Sequence, residues 1–290
     1  AEGHWDQSIP YFEQALALDP RNVELLNATA MTYAMLKQFP AALKLFDRLL
    51  DIKPNDPDLM AYKARIYQAE GYLQEAARFL SGISETSSWF AFSTKTSQLQ
   101  YERNYGELIR LLKARLAQSH LDVQQLAQSH LDVQLDKACF QMQLAITQHR
   151  VGDTAGAKVI AEQARNTLEQ LYRDQPDNFR FGAIPLCEAY AVMGEKESAL
   201  ELAQRAISLY PRAKDPMDGP TYEENLGIIQ TIVGENSRAI STVTQLLQTP
   251  YESLQYKATG VTPALLRLDP IWDPLRADPA FQKLCEEKQP

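Results

Sequence analysis

Four histidines and three cysteines are the most reactive side chains of this 290-residue chain. Neither set is spaced for a metal. His4 and His149 stand alone, and His120 and His130 occupy equivalent places in a repeated string. None has a second ligand three or four residues away, the spacing that lets one helix face share a zinc ion. Cys139, Cys187 and Cys285 are odd in number, far apart and form no CxxC pair. That is the usage of packed thiols in a reducing compartment, not of a disulfide framework. Lys137 is the cation nearest Cys139, but two residues along a helix it points away, so nothing there would activate a thiolate. No HExxH, GxSxG, phosphate-loop or GxGxxG pattern occurs, and the pair Gly152 and Gly156 lacks a following Lys-Ser/Thr. Glu195, Glu197 and Glu201 share a polar helix face, which reads as solvated surface rather than as an acid–base pair. These residues predict no catalytic site, no metal and no cofactor. The chain is not expected to be an enzyme.

The background into which these residues fall is helical. Hydrophobic residues make up 45% and charged residues 23%, enough for a core with an ordinary surface. Only 12 glycines and 16 prolines interrupt it, which leaves room for long helices. A net charge of −8 argues against a phosphate backbone as partner, because nucleic-acid binding needs a basic face. No stretch has the apolar length of a membrane span.

The helices come in pairs. From Val23 to Asp56, Leu26, Ala30 and Tyr33 mark one helical face, and Ala42, Leu45, Phe46 and Leu49 mark a second. Ala64, Tyr67, Ala76 and Leu80 repeat these positions 34 residues later. This pattern resembles the tetratricopeptide repeat family, whose unit reads W-x2-L-G-x2-Y and then A-x3-F and A-x3-P. The family's small eighth position falls on Ala30, Ala64, Thr96, Ala145, Cys187 and Gly227, and its small twentieth on Ser8, Ala42, Ala76, Leu108, Ala157, Ala199 and Ala239. Its turn glycine falls on Gly3, Gly71, Gly152, Gly194 and Gly234, with Lys37 and Arg103 as departures. The resemblance implies an all-α solenoid of helical hairpins wound into a right-handed superhelix. It covers residues 1–250 as one orphan second helix followed by about six hairpins. The unit near Trp89–Leu116 fits least well, and Pro176 falls late enough to lengthen the fifth unit's second helix by about two turns.

Two segments stand outside the repeat. Leu116–Gln124 recurs unchanged as Leu126–Gln134. Ten residues leave a helix about 80° out of register, and each copy holds a Ser-His-Leu-Asp helix start, so the duplication reads as a connector near residues 116–135. Residues 251–290 carry Thr262-Pro263, Asp269-Pro270, Asp273-Pro274 and Asp278-Pro279, each a capping residue before proline. With Leu265, Leu268, Ile271, Trp272, Leu275 and Phe281 between them, they predict a short helical cap over the last hairpin. The string TPALLRLDPIWDPLRADPAFQKL resembles the tails of large bacterial signalling proteins, in which a kinase, cyclase or winged-helix module precedes the repeats.

In the family the first helix of each hairpin lines a concave groove. Carried over, that surface would comprise Asn27, Met31, Met35, Arg65, Gln68, Met142, Ile146, His149, Phe181, Ile184, Glu188, Val192, Ile228 and Ile232. The alternative for its apolar members is burial between neighbouring hairpins. Among the aromatics, Trp89, Phe90 and Phe92 cannot all face inward on one helix, which leaves Phe90 for a partner or for local packing. The resemblance implies a protein- or peptide-binding scaffold, the C-terminal interaction or sensor arm of a larger bacterial signalling protein, with a cytoplasmic location unless a membrane span lies upstream. The alternatives are a regulatory piece of a kinase or cyclase, or a module that self-associates through the N-terminal edge left open by the orphan helix. If the duplicated string is a connector, deleting Leu126–Gln134 with one neighbouring residue should preserve cooperative thermal unfolding, since loop closure changes by only about 0.6 kcal/mol per doubling of length.

Overall fold

The computed structural model describes residue 3 and residues 5–122, 130–174, 182–255 and 258–286. Thirteen helices follow one another as antiparallel neighbours: α1 (Trp5–Leu18), α2 (Val23–Met35), α3 (Phe39–Ile52), α4 (Pro57–Glu70), α5 (Leu73–Phe79), α6 (Trp89–Tyr101), α7 (Tyr105–Asp122), α8 (His130–Arg150), α9 (Thr154–Asp174), α10 (Ala183–Met193), α11 (Lys196–Leu209), α12 (Gly219–Ile232) and α13 (Asn236–Leu247). The tail adds α14 (Pro263–Leu268), a 3-10 helix (Pro270–Leu275) and α15 (Pro279–Glu286). No strand occurs among the described residues. This is an all-α tetratricopeptide-type solenoid.

Local chemistry sets the helix ends. The side chains of Asn22, Asp56 and Ser88 accept backbone N–H groups in the first turns of α2, α4 and α6. The hairpin turns are built alike. Gln38, Tyr72, Asn104, Asp153, Glu195 and Glu235 each donate their N–H to the carbonyl five residues back, at 2.7–2.9 Å. That closure needs the residue before the donor in the left-handed region. Glycine supplies it at Gly71, Gly152, Gly194 and Gly234. Lys37 and Arg103, which depart from the repeat pattern, take the same conformation at φ 58° and 56°. A side chain there costs about 1–2 kcal/mol. Both side chains are used, as described below.

Packing follows the repeat at the small positions: Ala30, Ala42, Ala64, Ala76, Cys187 and Ala199 are fully buried where paired helices approach. Burial pushes the Cys187 thiol up to about 12, as befits a packing residue. Three aromatic pairs lock α3, α4, α6 and α8 together. Phe46 stacks on Tyr62, Tyr62 meets Phe90 at 4.2 Å, and Phe92 meets Phe140 edge-on. Phe90 is therefore a packing residue. The third unit has a second helix of only seven residues, and α9 runs to 21. The duplicated string divides between two helices: α7 extends through Asp122 and α8 begins at His130, while residues 123–129 lie outside the described residues.

The tail reaches well beyond the last hairpin. Helix α14 packs on α4, the 3-10 helix on α12 and α13, and α15 on α13. Thr262 caps α14 by accepting the Leu265 N–H, and its hydroxyl donates to the Ala69 carbonyl 193 positions earlier. Ala264 lies against Gly71, where even a methyl group would stand 3.4 Å away. Gln100 donates to Asp269 at 2.9 Å, and Arg103 forms a two-pronged pair with Asp273 at 2.7 and 2.8 Å. Lys37 donates to the Leu247 carbonyl at 2.6 Å, and Gly3 lies against Pro216. One continuous core results, running from Leu26, Phe39 and Leu49 through Val243 and Leu246 to Trp272 and Phe281. The stack closes on itself.

Two expectations follow. Trp272 is fully buried, so Trp272→Ala should cost about 3–5 kcal/mol and lower the unfolding midpoint. Amide exchange should quicken in both Tyr222–Ile232 and Ala61–Glu70, the helices that the tail joins. The two tail aspartates should separate in a denaturant titration. Asp269 is fully buried, caps the 3-10 helix and holds Gln100, so Asp269→Ala should cost about 2–3 kcal/mol. Asp273 and Arg103 are 38% and 45% exposed, so Asp273→Ala should cost under about 1 kcal/mol.

Candidate functional site

The inner helices α4, α6, α8, α10 and α12 surround a chamber of about 430 Å³. Each contributes the face turned away from its outer partner. Arg65 comes from α4, and Trp89, Ser93, Ser97 and Gln100 from α6. Cys139, Phe140, Gln143, Ile146 and Arg150 come from α8, Ile184, Pro185 and Glu188 from α10, and Ile228 from α12. Leu254, Gln255 and the tail's Ile271 complete the wall. On α8 the stripe Cys139, Gln143, Ile146, Arg150 has spacings of four, three and four, one helical face in register with the opening.

Apolar walls with a few converging polar groups are what a ligand site offers, and the volume suits a small ligand or a few peptide residues. Arg65 is held in place: its Nε donates to Thr94 Oγ1 at 3.0 Å and its Nη2 to Ser93 Oγ at 3.4 Å. Arg65 Nη1 and Arg150 Nη1 are both shut from solvent without a hydrogen-bond partner. Glu188 makes no hydrogen bond or ion pair among the described residues either. Desolvation pushes its carboxyl up to about 7, with Arg150 pulling the other way and Asp269 adding to the rise. The solvent-accessible surface makes Glu188 only half-buried, because it borders open chamber volume, yet it is surrounded by protein.

Of the residues that the family pattern places on the groove, the chamber gathers Arg65, Ile146, Ile184, Glu188 and Ile228. The others lie elsewhere. Met35 and Met142 are buried, the latter in the core between α8, α9 and α10. Gln68 is buried and donates to the Thr94 carbonyl and to Gln98 Oε1, joining α4 to α6. Asn27 is half-buried, and Met31, Val192 and Ile232 are half-buried against core clusters. His149 is exposed, and Phe181 lies outside the described residues. Trp89, Phe140, Gln143 and Arg150 do not appear in the sequence reading of the surface. The stripe from Cys139 to Arg150 could have revealed the last two, since it sits one residue off the register carried over from the family. No group of three or more metal-ligating side chains occurs among the described residues. No helix among them is long and apolar enough to cross a membrane.

The tetratricopeptide repeat family model matches residues 1–58 and 33–87. No curated protein sequence matches the chain. Among solved structures, the human IFIT1 dimer with PPP-AAAA is similar at 16% identity and a TM-score of 0.53, covering 84% of this chain and 55% of that one. A monomeric IFIT1 mutant with Gppp-AAAA is similar at 16% identity and 0.53, covering 88% and 57%. The chain thus spans little more than half of IFIT1, and the likeness is one of fold. A signal-transduction ATPase with a tetratricopeptide repeat sensor, PH0952 from Pyrococcus horikoshii, aligns at 12% identity and a TM-score of 0.48, covering 85% and 39%. The matched repeats at the N-terminal end continue as six hairpins closed by one shared turn geometry, so residues 1–87 carry tetratricopeptide repeats and the chain as a whole has a tetratricopeptide-type fold.

Proposed function

We propose that this chain binds a short peptide in its central chamber, as the C-terminal interaction arm of a larger bacterial signalling protein. The observation that carries the reading is the chamber itself. Five inner helices and the tail turn apolar and hydrogen-bonding side chains toward one partly open volume. With the tail packed on α4, α12 and α13, a volume of about 430 Å³ suits a short peptide better than a long helix. The resemblance of the tail string to those of bacterial signalling proteins supports the larger context and a cytoplasmic location. Net charge of −8 disfavours a nucleic-acid partner.

Affinity selection from a library of free, short synthetic peptides on the whole 290-residue chain tests this. Enriched peptides should share apolar residues and should bind Ile184→Glu, a charge placed on the chamber wall, about tenfold more weakly or worse. Peptides that bind the variant as well as the parent, or a library with no enrichment, would sink the reading.

A further inference from the structure

Arg150 Nη1 and the Glu188 carboxyl, neither hydrogen-bonded nor ion-paired among the described residues, face the same space. Arg150 ends the chamber-facing stripe of α8, and Glu188 lies on the adjoining face of α10. They sense each other electrostatically, yet no ion pair within 4.0 Å joins them. A guanidinium nitrogen shut from water without a partner is destabilising, and so is a desolvated carboxyl. Arg65 on the same wall is hydrogen-bonded through Nε and Nη2, and Asp269 accepts from Gln100, while Arg65 Nη1 is, like Arg150 Nη1, buried without a hydrogen-bond partner. Unpaired polar groups of opposite kind on one wall, beside Ile146, Ile184 and Ile228, therefore describe the complement of a missing molecule.

The geometry points to a small apolar zwitterion as the chamber's ligand, its carboxylate on Arg150, its ammonium on Glu188 and its apolar body against Ile146, Ile184 and Ile228. This rests on the chamber being the binding site. Two sources share that chemistry: a free hydrophobic amino acid, and a very short peptide carrying both of its termini. Either is small enough for about 430 Å³. Binding pairs both groups at once, and a site that holds buried polar groups for a ligand discriminates strongly against analogues lacking one of them.

The test is calorimetric titration of the full chain with L-leucine, Leu-Leu-Leu, N-acetyl-L-leucine and L-leucinamide. The better of the two zwitterions should bind about tenfold more tightly, or better, than either capped analogue. Whichever of L-leucine and Leu-Leu-Leu binds more tightly identifies the source. Arg150→Gln should abolish the preference over leucinamide, and Glu188→Gln the preference over N-acetyl-leucine. Without ligand, Arg150→Gln should melt at or above the parent's temperature, because it removes an unpaired charge. A lower melting temperature would make Arg150 structural and overturn the proposal. So would capped probes that bind as well as the zwitterions, or no zwitterion binding at about 10 mM, far weaker than a specific site requires. If all probes bind equally but are lost in Ile184→Glu, the chamber remains a binding site and only its zwitterion specificity falls. If their binding ignores Ile184→Glu, both readings fall together.

Discussion

A stack of helical hairpins makes contacts only between neighbours, so its two ends have no intrinsic reason to meet. Here they meet through the C-terminal segment, and the burial of Trp272 in the core that joins both ends is the interaction on which the chamber depends. With α14 on α4 and the 3-10 helix on α12, the tail spans the gap that the curving stack leaves open. Its apolar residues join the N-terminal and C-terminal hairpins in one core. Its polar residues then fix the alignment, Thr262 on the Ala69 carbonyl and Asp269 under Gln100. Take the tail away, and the inner helices would border a cleft fully open to solvent rather than a partly open volume.

Closure explains why the inner helices look unlike ordinary amphipathic ones. Helix α6 buries Thr94, Thr96, Ser97, Gln98 and Gln100 together with Phe92 and Leu99. It is covered on more than one side, by α4, α7 and the tail, so a single apolar stripe would not serve it. The polar side chains are satisfied across helices, Gln98 through the Leu73 carbonyl and Gln100 through Asp269. Buried hydrogen bonds of this kind contribute modestly in net energy, but they penalise every alternative alignment that would leave them unmade.

The sequence disclosed the hairpins because close helix pairing demands small residues at fixed intervals, and Ala30, Ala64, Ala145 and Cys187 obey that demand whatever lies beyond. It disclosed the buried character of Trp272 less directly, through a density of apolar residues and Asp-Pro starts. The tail's destination was not legible. Nothing in the spacing of Thr262 or Asp269 encodes a partner 169 or 193 positions away. The chamber was half legible for a related reason. A groove register taken from the family assumes an open concave face, and it found Ile146, Ile184, Glu188 and Ile228. On α8 it named Met142 and His149, where the structure turns Gln143 and Arg150 to the chamber.

Lys37 and Arg103 hold a further meaning. They occupy turns where the neighbouring repeats use glycine, and each reaches from its turn to the far end of the chain, the Leu247 carbonyl at the end of the last hairpin for one and Asp273 in the tail for the other. Open solenoids gain and lose units freely over evolutionary time, since one more hairpin only lengthens the row. In this chain the number of units sets the distance between Lys37 and Leu247. An added or deleted hairpin would part the clasp, empty the place of Trp272 and open the core that joins the two ends. Growth is confined to directions that leave the count unchanged, such as the lengthening of α7 and α8 by a doubled string. The repeat number has become a fixed property of the fold, as strand number is in a closed barrel.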